Sequence, residues 1–305
     1  MMKIFVRRTA ANRKPSIALP ALLISAMLAL SACANTASTS TSAASSNDTA
    51  PSQQGRIAEI VSSPQRSAAD RINDIHRKPA QTLAFIDIKP GMVALDLSAS
   101  GGYMTELVSL AVGPHGRVYA QNPPPRDAGS PPQQAAAPEG RSAPTPSGAE
   151  QPPAGKPMTS AQILAARAAN PLLPNIIPIV RRFEDPVPPE MTPNRLDLVT
   201  FMFNYHDLGH WGVDRAQLNK AVFTALKPGA MYIIADHAGR PGTGISESGT
   251  LHRIEESFLI KEVQAAGFKL VDEGYFMRNP SDPRDKNTPE PPQPKDEFIL
   301  KFIKP

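Results

Sequence analysis

The chain has 305 residues, 32 Lys and Arg against 28 Asp and Glu for a formal net charge of +4, and one cysteine. Five basic residues and no acidic ones (Lys3, Arg7, Arg8, Arg13 and Lys14) fall in the first 32 positions, so +4 less +5 leaves −1 on the remainder. That excludes the extended basic surface which a phosphate backbone requires, and a lone cysteine excludes an intrachain disulfide or a thiolate metal site; no nucleic-acid partner is expected.

Met1 to Ala32 reads as a targeting segment, a basic stretch followed by the apolar run Ile17 to Leu30, which is shorter than the roughly 20 residues a spanning helix needs. Leu30-Ser31-Ala32-Cys33 resembles a bacterial lipobox, whose cysteine is acylated and becomes the new N-terminus. The expectation is an exported lipoprotein anchored to a membrane through Cys33 and facing the periplasm, with Ala34 suiting outer-membrane sorting. Residues 33–55, rich in Ser, Thr and Ala, bury too little apolar surface to offset the entropy of ordering and read as a flexible tether. A folded domain is expected over residues 56–305.

Its first part, with Ile57, Ile60, Val61, Ile72, Ile75, Leu83 and Phe85, predicts two or three helical pieces, one of them starting at Pro79. The charged residues between them predict a solvated face, or, in a sharper reading, an Arg77 or Lys78 that reaches over a ligand cleft. Val93 to Leu97 is a short apolar run after the turn pair Pro90-Gly91 and reads as a buried parallel strand. The small residues Ser98-Ala99-Ser100-Gly101-Gly102 allow a sharp turn and a close approach of a ligand to the main chain. A helix from Tyr103 to Ala111 and a second strand, Arg117 to Ala120, complete the first half of a nucleotide-binding α/β fold.

Residues 123–157, with eleven prolines, read as a disordered or extended insertion. Ser160 to Ala169 reads as a helix, Ile176 to Val180 as a strand, and Leu196 to Phe203 as a buried strand running into Asn204-Tyr205-His206-Asp207. A helix over Asp214 to Leu226 is expected to close at the turn Lys227-Pro228-Gly229, before a fifth strand that ends in Asp236-His237. A Gly-rich loop, Gly239 to Gly249, leads to His252-Arg253 and a helix carrying Phe258, Leu259 and Val263. Strands over 269–273 and 297–303 flank a polar, Pro-rich excursion at 279–295.

His206 stands out because an imidazole titrates near neutral pH and can take a proton while a nearby atom attacks. His206, Asp207, Asp236, His237, His252 and Glu255 all fall at strand ends or just beyond them, on the side where such sheets bind ligands. Imidazole and carboxylate together could hold a divalent ion, but their spacing matches no compact motif, so hydrogen bonding to a substrate ranks first and no metal ligand is assigned.

From Val93 to Gly102 the chain resembles motif I of the class I S-adenosylmethionine-dependent methyltransferases, a strand ending D-x-G-x-G-x-G, with Ser98 and Ser100 in place of the first two glycines. The likeness extends over residues 65–305, through the second-strand end V-Y-A-Q-N, the fourth-strand end Y-H-D and the later D-H and L-H-R pairs, and is greatest to an exported group of predicted methyltransferases. It implies an α/β, Rossmann-like class I methyltransferase fold, a seven-stranded, mostly parallel sheet with helices on both faces and an antiparallel final strand. It further implies an S-adenosylmethionine site at Asp96, Ser98, Gly101 and Gly102, with Gln121 or Asn122 at the ribose in place of the usual acid and Glu184 or Asp185 toward the adenine. His206-Asp207 would be the base toward a small-molecule acceptor, with Tyr205, Asp236, His237, His252 and Arg253 binding substrate. The alternatives are a degenerate binding protein on the same scaffold and a metal-dependent enzyme built on the His/Asp cluster.

Overall fold

A computed structural model describes residues 52–125, 158–287 and 293–305. The expected export segment, Cys33, nearly all of the tether and residues 126–157 of the insertion lie outside the described residues. Three short helices precede the sheet: α1 (Gln53–Ser62), α2 (Ala68–Arg77) and α3 (Pro79–Ile86). Ser52 and Ser67 cap the first two by accepting from the main-chain N–H three residues on, and Pro79 occupies the first turn of α3, where a missing N–H costs nothing. Helix α1 starts three residues before the composition change at Arg56, because its cap is a serine of the tether-like stretch.

The remaining elements are β1 (Val93–Leu97), α4 (Tyr103–Val112), β2 (Arg117–Asn122), α5 (Ser160–Ala168), β3 (Ile176–Val180), β4 (Leu196–Met202), α6 (Arg215–Ala225), β5 (Leu226–His237), α7 (Glu256–Ala265), β6 (Lys269–Gly274) and β7 (Glu297–Ile303). The strands form one seven-stranded sheet in the order β3-β2-β1-β4-β5-β7-β6. Neighbours from β3 to β5 run parallel, whereas β7 is antiparallel to both β5 and β6. The chain thus has the Rossmann-like architecture of the class I methyltransferases.

Central strands are apolar on both faces because helices cover both. Leu95, Leu97, Phe201 and Tyr232 pack with Leu218, Val222, Leu259 and Val263 of α6 and α7 on one face. Ala94, Leu198 and Ile233 pack with Leu83, Ile86, Leu107 and Val108 of α3 and α4 on the other. Among the described residues no helix is long and apolar enough to cross a membrane.

One segment differs from expectation. Lys227-Pro228-Gly229 lies inside β5 as a bulge: Leu226 pairs with Leu196 and Met231 with Leu198, and Gly229 takes a left-handed φ of 77°. In the excursion after β6, Asp282 accepts from the Asp296 N–H at 2.6 Å and Arg284 donates to Asp296 at 2.6 Å.

Candidate functional site

At the carboxyl ends of β1, β4 and β5 a string of polar groups joins residues distant in sequence. Ser98 Oγ lies 3.4 Å from Asn204 Oδ1, and Asn204 Nδ2 donates to Asp207 Oδ2 at 3.1 Å. Asp207 Oδ1 then stands 3.1 Å from His206 Nε2 and 2.9 Å from His252 Nδ1. The other nitrogen of His206, Nδ1, is 2.6 Å from Asp236 Oδ1, while Asp236 Oδ2 accepts the His206 main-chain N–H at 2.7 Å. Asp236 is the penultimate residue of strand β5, and His206–Leu208 forms a 3-10 turn after β4, so the sheet sets both positions.

His206, expected as the base, is buried in this network. It is 3 % exposed and both ring nitrogens meet carboxylates. Burial alone would lower its pKa, but the charges and hydrogen bonds of Asp236 and Asp207 outweigh burial and push it up to about 10. For Asp207 burial acts upward, yet hydrogen bonds from His206 and His252 hold the carboxyl well below the usual range. The two carboxylates favour the imidazolium form of His206, so that Nε2 offers a lone pair only when its proton is displaced. His252 is the imidazole that reaches outward, its side chain 20 % exposed and its Nδ1 fixed by Asp207.

Other expected substrate residues are turned inward. Tyr205 is fully buried in the opposite core, where its hydroxyl accepts from Asn219 at 2.8 Å and donates to Glu262 at 3.1 Å. Arg253 is also fully buried and pairs with Asp282 at 2.8 Å, so it is a structural cation. His237, 1 % exposed, places Nδ1 at 3.1 Å from Glu297 and its ring against Phe203, with centroids 5.6 Å apart. Asp236 contacts His206 rather than open space. All four side chains are committed to partners inside the fold.

The residues assigned to the cofactor divide similarly. Asp96 is 2 % exposed and accepts from Thr105 and Thr200 at 2.6 and 2.8 Å; burial outweighs these bonds and pushes its pKa up to about 6. It ties β1 to α4 and β4. Gln121, fully buried, accepts from the Ser98 N–H at 3.0 Å and donates to the Arg181 carbonyl, so its amide cannot reach a ribose. Asn122 accepts from the Ser100 N–H at 2.8 Å and donates to the Ser100 carbonyl. Gly101 and Gly102 make their close approach to α5: a Cβ on Gly102 would meet Leu164 Cδ1 at 2.9 Å, and Arg167 donates to the Gly101 carbonyl at 2.6 Å. Glu184 pairs with Arg182, and exposed Asp185 pairs with Arg181 beyond the end of β3.

The loop itself keeps an unusual backbone. Ser98 and Ser100 adopt left-handed φ angles of 54° and 50°, and Phe203 and His252 adopt 62° and 50°. Such conformations cost about 1–3 kcal/mol each in non-glycine residues and concentrate at ligand sites. Arg77 of α2 lies over the ring of buried Phe203, 3.8 Å from its centroid, and Lys78 donates to the Phe276 carbonyl. The spacing of the chain gave no sign of Ser248, whose hydroxyl donates to the His206 carbonyl at 2.5 Å and accepts the His210 N–H at 2.9 Å.

No protein-family model and no curated protein matches the chain. Among solved structures it resembles a SAM-dependent methyltransferase from Aquifex aeolicus, with 15% identity and a TM-score of 0.48 over 79% of this chain and 100% of that one. It also resembles Aeropyrum pernix fibrillarin with natively bound S-adenosyl-L-methionine, at 17% identity and a TM-score of 0.41 over 70% and 67% of the chains. A Chlamydomonas reinhardtii arsenic(III) S-adenosylmethionine methyltransferase matches at 16% identity and a TM-score of 0.43 over 70% and 64%. These likenesses concern the overall fold, which the strand order establishes independently.

Proposed function

We propose that this chain is an S-adenosylmethionine-dependent methyltransferase acting on a small-molecule acceptor. The observation that carries the reading is the loop after β1: Ser98 and Ser100 hold left-handed angles, 54° and 50°, where the resembled motif has glycines. Side chains that disfavour the conformation keep it, so the loop shape is retained for a use. The cofactor would lie against Ser98, Ser100 and the outer side of Asn122, and would supply an electrophilic methyl group on a sulfonium. The ribose would lack the carboxylate usual at the end of β2, since Gln121 is committed beneath the loop.

In this reading the acceptor lies toward Asn204, Asp207 and His252, and the site acts mainly by aligning nucleophile, methyl carbon and sulfonium. Calorimetric titration with S-adenosylmethionine and its demethylated product tests it. Micromolar binding of both is expected, and absence of heat at millimolar ligand would sink the cofactor assignment. A second reading, a binding protein that no longer transfers methyl groups, is favoured by the commitment of Gln121 and by the contact of both His206 ring nitrogens with buried carboxylates. It predicts ligand binding without formation of the demethylated product.

The same proposal places the protein at a membrane, exported and acylated on Cys33, with the tether holding the domain on the periplasmic side. Support comes from the basic and apolar order of residues 1–32 and from the position of the single cysteine.

A further inference from the structure

We infer that His206, Asp207 and His252 form a binding site for one divalent first-row transition-metal ion. One ligand atom from each of these residues lies within 4.8 Å of the others, and the residues come from two segments that only the fold brings together. Asp207 Oδ1 is 3.1 Å from His206 Nε2 and 2.9 Å from His252 Nδ1. Two ligands at right angles around an ion, each bonded at about 2.1 Å, stand about 3.0 Å apart, so these separations suit adjacent corners of a coordination sphere. Two imidazoles and one carboxylate are the donors of facial sites for iron and similar ions, whereas magnesium and calcium favour oxygen alone.

The surroundings have the form that ligating side chains require. A ligand imidazole characteristically donates its second N–H to a carboxylate, which fixes the ring and aims the other nitrogen at the metal. His206 does this to Asp236 at 2.6 Å, and Asp236 is itself held by the main-chain N–H groups of His206 and His237 at 2.7 and 2.8 Å. Asn204 Nδ2 takes Asp207 Oδ2 at 3.1 Å and leaves Oδ1 to face both imidazoles. His252 is carried on a left-handed backbone, φ 50°, that brings its ring over Asp207. His210, hydrogen-bonded to Ser248, stands at the rim with Nδ1 at 3.8 Å from the same carboxylate oxygen. His206 and Asp207 close the protein side at 3 % and 1 % exposure, while His252, 20 % exposed at its side chain, opens toward the cleft.

The competing account is that protons alone join the three groups, since N–H···O bonds have the same lengths. The inference does not rest on the methyl-transfer reading, because an ion would bind these side chains whether or not a nucleotide cofactor enters. The test is equilibrium dialysis and visible spectroscopy of the full chain, free of added histidines and stripped with chelator, against Co²⁺, Zn²⁺ and Mn²⁺, with Mg²⁺ as control. One equivalent of Co²⁺ with ligand-field bands is expected, together with a loss of affinity of at least tenfold in Asp236→Asn and of at least a hundredfold in Asp207→Asn. His252→Gly removes a ligand while suiting the left-handed backbone, so a hundredfold loss there cannot be charged to unfolding. Binding that stays below a tenth of an equivalent at millimolar Co²⁺, or that is unchanged in both His252→Gly and Asp207→Asn, overturns the site.

Discussion

Replacing Arg253 with alanine is expected to destabilise the fold by about 3–5 kcal/mol, the cost of leaving a buried charge without its partner. Arg253 has no exposed surface and gives every donor group to the interior: Nη1 to Asp282 and the Ala238 carbonyl at 2.8 and 3.0 Å, Nε and Nη2 to the Lys286 carbonyl at 3.2 and 3.0 Å. For Asp282 burial acts to raise the pKa, but main-chain N–H donors from Asp296 and Arg284 and the guanidinium lower it below the usual carboxylate range. Without Arg253 that carboxylate stays buried, and the segment 279–287 loses its tie to the loop after β5. Urea unfolding of Arg253→Ala measures the loss, and Arg253→Met with Asp282→Leu should recover most of it, since an apolar pair carries no unpaired charge. A loss below about 1 kcal/mol would show that the pair is not structural.

The second large effect concerns the clamped imidazolium. His206→Ala should cost about 3–5 kcal/mol at pH 7, because Asp207 and Asp236 then face each other, buried, with no cation between them. The pH dependence follows from linkage. The folded pKa of His206, about 10, exceeds the ordinary value of 6.5, so its contribution is complete below about pH 6.5 and is lost as pH rises through about 10. Metal-free wild-type protein should lose stability steadily from pH 7 to 10 on this account, and the alanine variant should show a flatter profile over the same range. Denaturant midpoints across that window decide the matter; parallel profiles for the two proteins would mean that His206 is neutral at pH 7.

Much of the architecture is legible in the chain because it depends on local patterns. Val93 to Leu97, Ile176 to Val180 and Glu297 to Ile303 are apolar runs bounded by turn residues, and each becomes a strand within those limits. Lys227-Pro228-Gly229 carries the same local signal as a turn, yet the pairing of Leu226 with Leu196 draws it into β5 as a bulge. The site is legible only as a set of strand-end residues. Which of them face a ligand is decided by contacts between positions 30 to 45 apart, His206 with Asp236 and Asp207 with His252, and spacing does not report such pairs. Arg253 shows the same limit, since its neighbour His252 is partly open while its own charge is taken up by Asp282. The inward turn of Gln121 likewise depends on Arg181, at the far side of the insertion.

The central claim, that the loop after β1 faces a bound S-adenosylmethionine, is tested most directly by ultraviolet cross-linking of the methyl-labelled cofactor followed by peptide mapping. Label in peptides spanning residues 98–104 and 200–208, competed away by the demethylated product and reduced in Ser98→Val, is the predicted result. Label that is absent, that resists competition, or that maps to surfaces away from the carboxyl ends of β1 and β4 would contradict the account.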